Sequence, residues 1–580
     1  MTDLVSALGG ELIDLMLDSE AAETAKHESG DFPAITLSQR QLCDLELLLN
    51  GAFSPLTGFM QKADYDSVID NIRLTDGTLW PIPVVLDITK EFAATLKTGQ
   101  KIALRDGEGF MPAIMTIEDI WEIDKKREAE CVYGTTSPEH PGVQYLYEQV
   151  GDVYIGGRVE GIESPIHHDF ENLWDSPREL RALFKKMGWR RVVAFQTSKP
   201  MHRVQRDIVL QAAKDIQGHV LLHPAVGMTK PGDMQYYARV HCYQAVKNYF
   251  PHNLSVLSLL PIAMRMAGPR EALWHVLIHQ NFGCSHIIIG PKHAYPPYCE
   301  KRDVQFYTRD EARNFVLGYQ DELQIKVVPV ETKHYVPEQK KYLSLSEIKD
   351  KDMEHIEYTD AQLKEALINN REIPDWVSFP EVVRELCRVF PPRSQQGFTL
   401  FFTGLSGAGK STLAKIVYAK LVESGGRPVT LLDGDVVRLN LSSELGFSKE
   451  HRDLNVKRIG FVASEITKNR GIAICAPIAP YANSRRTVRE MIEQHGSFIE
   501  IHVATPLETC ESRDRKGLYA KARQGLIPEF TGISDPYEVP AEAEISIDTS
   551  DYSPMEAAQE IYLYLLREGF LDKPDALCAK

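Results

Sequence analysis

GFTLFFTGLSGAGKSTLAKIVYAKL fills residues 397–421, and the rest of the chain is read outward from it. Thr399 to Phe402 is a short apolar run of the kind that forms a buried strand. It breaks into Gly404-Leu405-Ser406-Gly407-Ala408-Gly409-Lys410-Ser411-Thr412, after which Leu413, Ile416, Val417 and Leu421 recur at helical spacing. G-x-x-x-x-G-K-[ST] between a strand and a helix is the P-loop pattern. Its glycines let successive N–H groups turn inward around a phosphate, and the helix N-terminus adds about half a positive charge. Lys410 can then reach the β- and γ-phosphates, and Ser411 can hold Mg²⁺. The competing reading is a glycine turn that only joins strand to helix. Strand, helix, Lys and Ser together favour a site for ATP or GTP.

A chain of 580 residues exceeds one core and suggests about three or four domains. Its 43% hydrophobic and 25% charged residues are ordinary for globular domains. With 65 basic against 81 acidic residues the net charge is −16, which argues against a general nucleic-acid or anionic-membrane surface. Any anionic substrate must therefore meet local basic clusters. The acidic start, with Asp3, Glu11, Asp14, Asp18, Glu20 and Glu23, is unlike a signal peptide. No apolar run approaches the ~18 residues of a membrane span. Nine cysteines without a C-x-x-C pair suit a reducing cytoplasm and offer no zinc site.

Residues 1–170 alternate apolar runs with Gly, Pro and Asp breaks, as in Trp80-Pro81-Ile82-Pro83-Val84-Val85-Leu86-Asp87, and predict a β-rich domain after a helical start. From 171 to 324, strands and helices alternate. Arg191–Phe195, Val220–His223 and His286–Gly290 read as strands, and Arg270–Gln280 as a helix. An open, mainly parallel sheet follows, with ligands expected beyond its C-terminal strand ends. Those ends carry Gln196-Thr197-Ser198-Lys199-Pro200-Met201-His202-Arg203 and Gly290-Pro291-Lys292-His293-Ala294. Residues 325–390 form a smaller mixed piece, closed by Pro374, Pro380, Pro391 and Pro392 as a linker. Residues 391–580 are the P-loop domain.

Beyond the P-loop, Val429–Leu432 reads as a strand ending in Asp433-Gly434-Asp435-Val436-Val437-Arg438. Two carboxylates beside a nucleotide can hold Mg²⁺ and orient or deprotonate a hydroxyl. Either alone could simply cap a helix. Arg452 and Asn455, three apart, share one helix face, which suits a ligand grip or a solvated surface. Lys516-Gly517-Leu518-Tyr519-Ala520-Lys521-Ala522-Arg523 places three cations in a predicted loop or lid.

These words resemble known families. Asp44-Leu45-Glu46-Leu47, Gly51-Ala52-Phe53-Ser54-Pro55-Leu56, Gly227–Asp233 and Ala267–His275 make residues 1–390 similar to ATP sulfurylase, the nucleotidyltransferase that joins sulfate to AMP. Residues 391–580 resemble adenylylsulfate (APS) kinase. Together they follow the order of fused ATP sulfurylase–APS kinase proteins. The resemblance implies an α/β multidomain protein. It would comprise a PUA-like β-rich domain, a Rossmann-like nucleotidyltransferase domain, a small third domain and a P-loop kinase with a parallel sheet.

In the kinase part, D-G-D-x-x-R matches residue by residue. The resemblance implies that Asp435 contacts the APS 3′-hydroxyl, that Asp433 lies near the metal, and that Arg438 meets the substrate anion. Gly446-Phe447-Ser448, Arg452-Asp453-Leu454-Asn455 and Phe530–Glu538 match as well. They make Phe447 and Phe530 an aromatic pair around the APS adenine. Arg452, Asn455, Ile478 and Lys516 become further APS contacts, and Thr412 and Arg513 further ATP contacts. Some relatives carry a Ser before Pro in the strand after Gly471. Here Ala476 precedes Pro477, so a phosphoserine at that place is excluded and direct transfer is the simpler mechanism.

The sulfurylase part departs from its pattern. Of Q-x-R-N-P-x-H-R-x-H it keeps Gln196, Thr197, Pro200, His202 and Arg203, but Ser198 replaces Arg, Lys199 replaces Asn and Gln205 replaces the second His. Of G-R-D-H-A-G it keeps Gly290, His293 and Ala294, while Pro291, Lys292 and Tyr295 replace Arg, Asp and Gly. Adenylyl transfer needs several donors on the developing charge, and Lys is a poor substitute for the planar grip of Arg. Lost sulfurylase chemistry is the expectation. The alternatives are activity carried by Lys199 and Lys292, and a domain that binds nucleotide without turnover. ATP and Mg²⁺ are the implied cofactors and APS the second substrate. The resemblance also implies a homo-oligomer and allows a hexamer, which no single motif shows.

Overall fold

A computed structural model of the chain describes residues 4–230, 233–296, 305–514, 517–550 and 552–571, without the side chain of Asp435. It divides into two units, one of residues 1–360 with 373–389 and the other of 361–372 with 390–580.

The first unit opens on a largely antiparallel sheet of six strands. Ala34–Thr36, Lys101–Arg105, Ala113–Glu122, Val153–Gly161 and Gly58–Phe59 are neighbours in that order, and Leu86–Ile88 also pairs with Val153–Gly161. The register of Ala113–Glu122 shifts between Ile117 and Asp119, a bulge that bends the strand. Trp80–Val85, apolar enough for a strand, is irregular, and pairing starts only at Leu86. Pro81 and Pro83 have no N–H to give a ladder.

A five-stranded parallel sheet follows in the same unit. In space the strands run Ser255–Leu257, His219–Pro224, Val192–Thr197, His286–Ile289 and Lys326–Pro329. In chain order this is 3-2-1-4-5, the doubly wound arrangement, whose crevice opens between the first and fourth strands. The sequence boundary after 324 separated Lys326–Pro329 from this sheet. The structure instead pairs it with His286–Ile289 along its whole length. Four residues carry too little periodicity to reveal such a partner. The helix Pro269–Asn281 packs under the sheet, buried along its length from Glu271.

In the second unit five parallel strands run Val429–Leu432, Ile472–Cys475, Phe398–Thr403, Ser497–Val503 and Ile545–Ile547. Phe398–Thr403 is central and buried at every residue. The helix Lys410–Ser424 covers it with Leu413, Val417 and Leu421, each worth about 1.5–3 kcal/mol on burial. Residues 518–523, predicted as loop or lid, are the helix Leu518–Arg523. The carboxylate of Asp514 accepts from the N–H groups of Leu518, Tyr519 and Ala520 and so caps that helix. Among the described residues no helix is long and apolar enough to cross a membrane.

Candidate active site

The P-loop leaves the end of Phe398–Thr403 through a turn that requires glycine. Gly404 has φ +144°, and a Cβ there would stand 2.6 Å from the carbonyl oxygen of Val503. A loop that offers its N–H groups to phosphate must satisfy its carbonyls elsewhere, and here they are satisfied. Lys410 Nζ donates to the carbonyls of Gly404 (2.9 Å) and Leu405 (2.7 Å). The Tyr519 hydroxyl donates to Ser406 O at 2.8 Å. Ala408 O receives the hydroxyls of Thr505 and Thr549, both at 3.0 Å, and those hydroxyls lie 2.8 Å apart. Two protons thus serve three contacts. Arg513 clamps the last partner, with Nη1 on Thr549 Oγ1 (2.8 Å) and Nη2 on Thr549 O (2.9 Å).

Ser411 and Thr412 occupy the first turn of the helix behind this loop, and Asp433 ends the strand Val429–Leu432. Asp435 lies at the start of the helix Gly434–Leu441, but its side chain falls outside the described residues, as does all of Lys516. Arg438 stacks over Phe447, 4.2 Å from the ring centroid, and donates to the carbonyls of Leu445 and Gly446. Phe447 is 70% exposed, with the Arg438 guanidinium over its ring. Phe530 meets Tyr519 edge-on at 5.0 Å. The two predicted adenine-facing rings therefore rest on different supports.

Arg452 and Asn455 share the helix Lys449–Lys468, whose first turn is capped by Ser448. Arg452 Nη1 donates to Thr531 Oγ1 and Asp535 Oδ2, both at 2.9 Å, and Tyr481 donates to the same carboxylate oxygen at 2.9 Å. Ile478 contributes its carbonyl, which accepts from the Thr403 hydroxyl at 2.8 Å. Between the P-loop and the Arg452 partners lies an open hollow of about 490 Å³, bounded by Leu405 and by Gly532 through Tyr537. Thr505 and Thr549, absent from the sequence reading, both follow the C-terminal end of a parallel strand. That placement was a usable signal.

The strand ends of the first unit look different. Gln196 Nε2 meets His275 Nε2 at 3.2 Å, and His275 Nδ1 meets His293 Nε2 at 3.0 Å. A neutral His275 can accept at one nitrogen and donate at the other. Burial, then the neighbouring His275, holds His293 well below the usual imidazole range. The Thr197 hydroxyl takes the N–H of Lys199, whose ammonium pairs with Asp360 at 2.5 Å. Ser198 is buried, its carbonyl taken by Arg239. His202 Nδ1 meets the Ser378 hydroxyl at 2.9 Å, and burial pushes this imidazole down to about 4. Arg203 donates to Ser378 O and lies over the Phe379 ring. Gln205 accepts from the His202 N–H and completes a capping box. Pro291 precedes Lys292, which sits in left-handed backbone and donates its N–H to Arg309 O.

Family models match three consecutive segments: a PUA-like domain at 5–164, ATP-sulfurylase at 171–389 and adenylylsulphate kinase at 396–548. A sulfate adenylyltransferase of Phaeosphaeria nodorum is 47% identical over 97% of this chain and 98% of its own length. One from Aspergillus oryzae is 46% identical over 97% and 99%. Among solved structures, a hexameric APS kinase from Thiobacillus denitrificans is 40% identical with a TM-score of 0.81, covering 98% of this chain and all of its own. Three matched segments in this order, with relatives aligned from end to end, make the chain a member of the fused ATP sulfurylase–adenylylsulfate kinase family.

Proposed function

We propose that the chain is an adenylylsulfate kinase in sulfate activation, and that its sulfurylase-like domain is a scaffold without turnover. ATP would give its γ-phosphoryl group to the 3′-hydroxyl of APS, forming ADP and 3′-phospho-APS. The hydroxyl oxygen attacks the γ-phosphorus, the bond to the β-phosphate oxygen breaks, and the hydroxyl proton leaves. The observation that carries the reading is the P-loop whose Ser406 and Ala408 carbonyls are held by the hydroxyls of Tyr519, Thr505 and Thr549. Its N–H groups would then meet phosphate, and Lys410 would exchange the carbonyls of Gly404 and Leu405 for phosphate oxygens. Residues 404–412 and Arg513 would bind ATP. Arg438, Phe447, Arg452, Asn455, Ile478, Lys516 and Phe530 would bind APS, with Asp435 on the reacting hydroxyl. Ser411 and Asp433 offer two oxygen ligands to Mg²⁺, enough where phosphates supply others. The bound ion neutralises charge on the transferring group. Ala476 leaves direct transfer as the route.

Loss of sulfurylase turnover is supported by the replaced motif positions Ser198, Lys199, Gln205, Pro291 and Lys292, which remove donors from the developing charge. The second reading is a bifunctional enzyme. It is favoured by the retained Gln196, Thr197, His202, Arg203 and His293, and by relatives that carry the name sulfate adenylyltransferase. A homo-oligomer is proposed from the neighbour described as hexameric. ADP release measured with and without APS tests the kinase, and a rate indifferent to APS would defeat it. Sulfate-dependent pyrophosphate exchange on the same preparation separates the scaffold from the bifunctional enzyme.

A further inference from the structure

Arg452 uses only one end of its guanidinium. Nη1 is bound by Thr531 and Asp535, whereas Nε and Nη2 are buried without a hydrogen-bond acceptor. The Glu529 carboxylate stands 3.9 Å from Nη2, beyond hydrogen-bond reach. Nε and Nη2 together form the side edge of the guanidinium, which can hold two oxygens of one oxyanion at once. Three residues farther along the same helix, Asn455 Oδ1 is likewise buried without a donor. Unsatisfied buried groups cost stability unless something supplies their partners.

What keeps that edge in place is a carboxylate. Asp535 Oδ2 receives both Arg452 Nη1 and the Tyr481 hydroxyl, each at 2.9 Å, and the guanidinium lies 5.4 Å from the centroid of the Tyr481 ring. Tyr481 is pushed up to about 12 by burial and by Asp535, so it remains a donor. We propose that Asp535, with Tyr481, is a positioning pair. It fixes the guanidinium of Arg452 so that its Nε/Nη2 edge takes an anionic group of the acceptor nucleotide. This rests on the kinase reading above.

The proposal makes a prediction opposite in sign to simple electrostatics. Asp535→Asn removes a negative charge beside an anion site, so Coulomb attraction alone would tighten APS. Loss of positioning weakens it instead. The expected result is a KM for APS raised about tenfold, with kcat and the KM for ATP within about twofold of the unmodified protein. Tyr481→Phe, nearly isosteric, should move the same parameter by a smaller factor, and Asp535→Glu should restore part of the loss. In an Arg452→Ala background, Asp535→Asn should add nothing, because its effect passes through Arg452. An unchanged or lowered KM in folded Asp535→Asn, or a full additional penalty in the double variant, overturns the pair. Release of ADP from the unmodified protein that ignores APS would defeat the kinase reading itself, an outcome visible before any variant is made.

Discussion

The two crevices of this protein hold similar side chains and differ in what is left open, a guanidinium edge in one and an amide oxygen in the other. At the P-loop, hydroxyls from Thr505, Thr549 and Tyr519 satisfy the loop carbonyls, and an edge of Arg452 stays open. At the crevice of the first unit, Lys199 meets Asp360 in an exposed ion pair, His202 faces Ser378, Arg203 covers Phe379 and His293 faces His275, while Gln196 Oε1 is buried without a donor. Engaged cations occur in both crevices, Lys410 on its own loop carbonyls and Lys199 on Asp360, and the guanidinium edge of Arg452 is what sets the P-loop crevice apart. A buried polar group without a partner demands one, and each crevice keeps such a group, Arg452 Nε and Nη2 in the second unit and Gln196 Oε1 in the first.

The comparison breaks most directly at Lys410. Lys410→Ala should lower kcat for APS phosphorylation about 10³-fold or more with unchanged circular dichroism, since its charge acts on the transferring phosphate. Retained turnover would mean that the loop only binds. Next comes the opposite manoeuvre on the first unit. The unmodified protein should form no APS from ATP and sulfate, even with pyrophosphatase present. Ser198→Arg, Lys199→Asn, Gln205→His, Pro291→Arg and Lys292→Asp together should raise sulfate-dependent exchange at least about tenfold above background, and no single change should. Robust exchange in the unmodified protein would instead support the bifunctional reading.

Acid should also separate the units. Burial holds His140, His202 and His279 of the first unit at about 4, against an ordinary 6.5. Between those values the unfolded chain binds protons that the folded unit refuses, so stability falls as pH falls. At pH 5.5 each imidazole should cost about 1.4 kcal/mol relative to pH 8. Calorimetry should show the first unit's transition moving down on acidification by more than the kinase transition. In the second unit, burial lowers His502. The smallest expected effect is at Gln205. Gln205→Ala removes half of a capping box and should destabilise the first unit by about 1 kcal/mol, leaving APS phosphorylation untouched.

How much of this was legible in the sequence depends on distance along the chain. The P-loop is contiguous, so its strand, turn glycines and helix could be read together, and Val429–Leu432 was placed to the residue. The doubly wound sheet was legible as a class from alternating strands and helices. Its fifth strand, Lys326–Pro329, was not, because its identity lies in a partner forty residues earlier. Helix Leu518–Arg523 was hidden by its cations, which suggest a loop until Asp514 is seen to cap it. The altered motif was visible as replaced letters. Where Lys199 and His202 turn could not be, since Asp360 and Ser378 lie 161 and 176 residues away.

The carbonyl of Ala408 is held by a hydroxyl that arrives 141 residues later. Closing so long a span of chain is an entropic burden that local turns do not carry. A growing polypeptide halted before Thr505 would contain every letter of the P-loop and still lack both hydroxyls that meet the Ala408 carbonyl, and one halted before Thr549 would lack the second. In the life of one molecule, acquiring the motif and acquiring the finished loop are separate events, with most of the kinase made in between.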